Sequence, residues 1–129
     1  MQFHYTVQSS YSFEETLQRV ERSLLEAGFG VLWRFDVKEK LQGKGLAFPH
    51  ELQILEVCNP EEAHRVLAKN MMAGYFIPCK IAVYTEREQI FIGMPKPTAL
   101  ISILDDEDLQ EAALGIERRL ANALDNSIQ

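Results

Sequence analysis

Leu52-Gln53-Ile54-Leu55-Glu56-Val57-Cys58-Asn59-Pro60-Glu61-Glu62-Ala63 joins a strand signal directly to a helix signal. Leu52 to Cys58 has apolar residues on both alternating sets, the pattern of an interior strand covered on at least one side, with Glu56 a charged exception inside it. Asn59 then offers an N-cap, Pro60 suits the first helical position, and Glu62 puts a carboxylate at the third. A helix is expected through Ala63, Val66, Leu67 and Met71, ending before Gly74.

Upstream, Phe3, Tyr5 and Val7 alternate with His4, Thr6 and Gln8, which predicts a strand over residues 2–8. Ser12 stands three residues before Glu15, the spacing of a capping box. Phe13, Leu17, Val20, Leu24 and Ala27 then recur at helical intervals, and Gly28 tolerates a left-handed C-terminal turn. Phe29, Val31, Trp33 and Phe35 alternate again, so a second strand is expected over 30–37, with an aromatic face and with Arg34 and Asp36 on the other. Lys38 to Gly45 is basic and broken by glycine, and reads as a surface connection.

Downstream, Cys79 to Thr85 and Gln89 to Met94 are short β-rich runs joined by Glu86-Arg87-Glu88, a hairpin length. Met94-Pro95-Lys96-Pro97 interrupts the pattern, and Thr98 to Leu104 is expected as a last strand. Asp105 to Asp108 places carboxylates at the positive end of a final helix whose stripe is Leu109, Ala112, Ala113, Ile116, Leu120, Ala123 and Leu124. The predicted order is β-α-β-β-α-β-β-β-α, a single α+β domain over residues 1–129, in two layers with the helices on one face of a mostly antiparallel sheet. The uncovered face, with Trp33 and Phe35 on it, is expected to be buried in a homodimer.

Composition narrows the function. The chain is 47% hydrophobic and 25% charged, which suits a packed globular domain. Its formal charge of −6 is the wrong sign for wrapping phosphate backbones, so nucleic acid is not an expected partner. No leader-like segment opens the chain and no long apolar run suggests a membrane span, while two cysteines are too few for a disulfide scaffold; a reducing, cytoplasmic setting is the expectation.

Local motifs for nucleotide binding, C-x-x-C redox chemistry, H-E-x-x-H metal sites and the G-x-S-x-G elbow are absent. No metal site is expected, because His4, His50, His64 and the two cysteines offer no tight ligand pair; no cofactor is implied and no catalytic residue is assigned. Cys58 precedes a helix N-terminus, a setting that can favour thiolate, although a strand-end cysteine also serves as a small buried group. Cys79 begins the next strand after Pro78. If those two strands are parallel neighbours, the intervening helix separates the thiols far beyond the ~7 Å limit for a disulfide. Glu56 shares a strand face with Leu52, Ile54 and Cys58, where it is either a partly buried carboxylate or the solvent-reaching end of the strand.

Cys58-Asn59-Pro60 followed by Pro78-Cys79, in a strand-helix-strand setting, resembles the bacterial and archaeal family known as domain of unknown function 302. The likeness extends over nearly the whole chain, through the Gly28-Phe29 break, Leu55 to Pro60 with Ala63, and Ile77-Pro78-Cys79-Lys80 leading to Val83 and Tyr84. It implies a fold similar to the TATA-box-binding-protein-like arrangement, present once per chain, and homodimers; it implies no agreed activity, and DNA binding does not follow from fold alone. The leading expectation is a binding module for a small molecule or a protein, using Cys58, Asn59, Pro78, Cys79 and Glu56. The alternative is thiol-based redox or metal handling by Cys58 with Cys79.

Overall fold

The computed structural model of the chain describes residues 2–129. Five strands, β1 (His4–Ser9), β2 (Gly30–Asp36), β3 (Leu52–Cys58), β4 (Cys79–Glu86) and β5 (Gln89–Pro95), form one antiparallel sheet in the order β1-β5-β4-β3-β2. Helices α1 (Phe13–Glu26), α3 (Pro60–Lys69), α4 (Pro97–Ile101) and α5 (Glu107–Ser127) cover one face. The expected α+β class and antiparallel sheet are found.

The core follows the predicted periodicities. Leu17, Val20 and Leu24 of α1 and Leu109, Ala112, Ile116, Leu120 and Leu124 of α5 are buried against Leu55, Val57, Ile81, Val83 and Ile92 of the sheet. Ser12 caps α1 by accepting from the Glu15 amide at 3.1 Å, and Asp106 caps α5 through the Leu109 amide at 3.1 Å. The buried Ser23 hydroxyl donates to the Ala123 carbonyl at 2.5 Å, and the Tyr5 hydroxyl donates to Asp125 Oδ1 at 2.5 Å, so α5 is tied to both α1 and β1. The Asp125 carboxylate beside it raises the Tyr5 pKa above its ordinary value.

Three segments differ from the sequence expectation. Residues within the expected basic connection form α2 (Val37–Gly43), because Asp36 Oδ1 accepts from the Glu39 amide at 3.0 Å and starts a turn that the lysines and glutamate propagate. Thr98 to Leu104 is not a sixth strand but α4 followed by a 3-10 turn, Ser102–Leu104. Pro97 occupies the first helical position, and Glu117 of α5 accepts from both the Thr98 amide (3.1 Å) and its hydroxyl (2.6 Å), which fixes this start against α5. A short apolar run carries no unambiguous period, and packing against α5 decided it. The helix α3 also stops at Lys69, and a 3-10 turn, Met71–Tyr75, takes over.

The faces of β2 are assigned by register. Arg34 lies opposite Leu55 on the helix side and pairs with Glu21 of α1, while Trp33 and Phe35 lie opposite Glu56 and Ile54 on the open side. Their rings stack at 5.5 Å, and those of Tyr84 and Phe91 stack at 5.6 Å on the same face.

The β4–β5 hairpin turns through Arg87 (φ 54°) and Glu88 (φ 66°), both left-handed without being glycine. Replacing the pair by Asn-Gly (R87N/E88G) is expected to raise unfolding stability by about 1 kcal/mol, measured by urea titration, because Asn tolerates the left-handed region and Gly adopts it without steric cost.

Candidate functional site

The two cysteines come together by a route the sequence did not show. β3 and β4 are antiparallel neighbours rather than parallel ones, and Val57 pairs with Cys79, so Cys58 and Cys79 sit at the same end of the sheet. Both are free thiols. Residues 59–78 therefore leave the sheet and return to it at adjacent strands, and the excursion builds two hollows that share Ile77, Pro78 and Cys79 as a wall.

The smaller hollow is a crevice of about 20 Å³ bordered by Cys58, Asn59, Phe29 and Glu62. It has room for a single water and no more. Asn59 is already committed there: its Oδ1 accepts from the Glu62 amide at 3.0 Å, capping α3, and its Nδ2 donates to the Gly28 carbonyl at 2.9 Å. Arg119 of α5 donates to the neighbouring Ala27 carbonyl at 2.7 Å and lies over the Phe29 ring. Gly28, at φ +92°, fits between them because a Cβ would stand 2.8 Å from Arg119 Nη2 and 2.9 Å from Asn59 Nδ2. The Asn-Pro element thus clasps the end of α1 to the start of α3.

The larger hollow is a cavity of about 410 Å³ between α3 with its 3-10 turn, α4, α5 and the end of β4. Its depth is apolar: Val66, Ala73, Ile101, Leu109, Ala113 and Ile116 are all buried core residues. Phe76, Pro78, Pro95 and Leu100 continue the wall, and the exposed Tyr75 stands at its rim. Cys79, Glu56 and Lys80 also border it, the last two being cross-strand partners. Burial, and secondarily the neighbouring Cys58, pushes the Cys79 thiol up to about 11, so at neutral pH it is an uncharged, apolar-like group.

Of the residues singled out in the sequence, Glu56, Pro78 and Cys79 border the cavity, while Cys58 and Asn59 border the adjoining crevice. Glu56 is half-buried on the open side of the sheet. Sequence reasoning missed the walls supplied by Ala73, Phe76, Leu100, Ile101 and Ala113. The residues of α4 were hidden by the strand reading, although the Pro95-Lys96-Pro97 break marked the place. His64 is exposed on α3, His50 is exposed beside a Glu51 that pairs with Lys38, Asp105 ends the 3-10 turn before α5, and Asp106, Glu107 and Asp108 serve the start of α5. Among the described residues no group of three or more metal-ligating side chains converges, and no helix is long and apolar enough to cross a membrane.

Comparison with known proteins places this geometry in a lineage. The family described as "Domain of unknown function DUF302" matches residues 5–127. The crystal structure of an uncharacterized conserved protein DUF302 from Bacillus stearothermophilus is 53% identical in sequence, covers 100% of both chains and superposes with a TM-score of 0.96. No curated protein matches the chain.

Two outcomes test the clasp and the thiols. Asn59→Ala is expected to lower stability by about 1–2 kcal/mol in denaturant unfolding, with Asn59→Asp losing less because it keeps the helix cap. Alkylation of native Cys79 in a Cys58→Ser background is expected to be slow at pH 7 and to accelerate about tenfold per pH unit toward about 11, since only the thiolate reacts.

Proposed function

The chain belongs to the DUF302 family, and from the geometry of its cavity we propose that it is a binding module that holds a small, largely apolar molecule between α3, α4 and α5. The observation that carries this reading is the cavity itself. At about 410 Å³ it lies within the ~300–1,000 Å³ range of small-molecule sites, and it reaches buried residues of three helices while opening at the sheet end.

Thiol redox chemistry is the weaker reading. It needs a thiolate, and the burial that makes Cys79 part of the cavity wall keeps it protonated at neutral pH. Proximity of Cys58 favours a paired-thiol reaction only if one member ionises first.

We further propose a homodimer that covers the aromatic half of the open sheet face. Trp33 is 56% exposed, and with Phe35, Leu52 and Ile54 it makes a contiguous apolar surface on β2 and β3. A second copy is the occupant favoured here, because a two-fold contact apposes this patch to itself and buries aromatic against aromatic.

In thermal unfolding, saturating indole is expected to raise the midpoint by ~3–6 °C in the native sequence and to have no effect in Ala113→Phe, whose ring occupies the cavity. An equal shift in both proteins, or none in either, would refute the cavity reading. Light scattering is expected to give about twice the 14.8 kDa chain mass, with Trp33→Lys returning it to one chain; a single-chain mass for the native sequence would refute the dimer.

A further inference from the structure

The cavity is open toward the uncovered side of the sheet. Lys80 and Pro95 border both the cavity and a shallow groove that runs past His4, Thr6 and Gly93 on the open face. Gly93 gives the groove its floor: a Cβ there would come within 2.9 Å of Thr6 Oγ1. Lys80 stands at the junction of an apolar interior and a solvated channel.

Lys80 is exposed, and among the described residues it lies within 4.0 Å of no carboxylate, although the chain as a whole carries a formal charge of −6. Its cross-strand partner Glu56 borders the cavity but not the groove. An anion at the junction is therefore drawn to the groove side of Lys80, away from Glu56. A molecule that suits both parts has a hydrocarbon body and one anionic end.

We propose that the ligand is an amphipathic carboxylate, with its hydrocarbon portion inside the cavity and its carboxylate on the groove side of Lys80. The assignment rests on the cavity being a binding site and adds the chemistry of the head group. Taking a methylene as comparable to the ~30 Å³ share of a water, about 410 Å³ accommodates roughly ten carbons with incomplete filling. The long stem of Lys80 can lie along the apolar rim while its ammonium reaches the carboxylate.

Calorimetric titration of the full chain with octanoate and with 1-octanol separates the two ideas. Octanoate is expected to bind about tenfold more tightly than 1-octanol at low salt, with the advantage shrinking as salt is raised. Lys80→Gln is expected to remove that advantage and leave 1-octanol binding unchanged, whereas Ala113→Phe and the milder Ala73→Leu weaken both ligands. Equal binding of the two compounds, or an octanoate preference that survives Lys80→Gln, overturns the head-group assignment while the cavity reading stands. Octanoate binding untouched by either filling variant overturns it as well, and failure of both compounds to bind the native sequence overturns both.

Discussion

Helix α1 has to carry the chain across the whole sheet, and the rest of the architecture is arranged around that crossing. β1 and β2 are consecutive strands in the sequence yet lie on opposite edges. With neighbouring strands ~4.8 Å apart, the edges of a five-stranded sheet are separated by about 19 Å. Both edge strands run in the same direction, so the connection must also return along their length, making a diagonal of about 28 Å. The 14 residues of α1 supply about 21 Å and its short flanking connections supply the remainder. The chain after β5 adds no further strand at the β1 edge and turns up as α4 onto the helix layer beside α5.

The crossing fixes which face is covered, and it leaves α5 to fill the space beside α1. Ser23, Tyr5 and the Gly28 junction all connect to α5, which makes that helix the common partner of the layer. The site arises from a different economy. Antiparallel neighbours such as β3 and β4 can be joined by two residues, as β4 and β5 are. Residues 59–78 are not needed to make that connection. They form a lobe that stands off from α4, and the space between the lobe and α4 is the cavity.

The helices α1 and α5, the hairpin, and strands β1 and β3 were legible because each has a sustained period or, in β3, a sustained apolar run, together with a recognisable end such as Ser12, Asn59 or Gly28. The segments that misled were short. α2 and α4 are too brief for amphipathic periodicity to accumulate, and their starts depend on single contacts, Asp36 with the Glu39 amide and Thr98 with Glu117. The Glu117 contact joins positions remote in sequence, which no local pattern can announce. Whether the two cysteines lie close hung on the relative direction of β3 and β4, which the sequence left open, since strand direction is a property of pairing and not of either strand alone. Asn59 drew attention as part of a distinctive tripeptide, and its hydrogen bonds explain that distinctiveness by architecture: it caps one helix and holds the end of another. The cavity was the least legible feature, because its deep walls are Ala, Val, Leu and Ile residues that read as ordinary core.

The common direction of β1 and β2 also governs how these sheets could grow into one another. Joining the β1 edge of one copy to the β2 edge of the next would form a parallel ladder related by translation, and such a contact never closes, so copies would add without limit into a filament. Joining like edges about a two-fold axis would form an antiparallel ladder that stops at two copies. β2 interrupts the first route: its register slips between Val31 and Trp33, and the irregular backbone presents a poor template for a continuous ladder. One residue out of step on the outer strand thus makes that edge a poor match for the β1 edge of another copy.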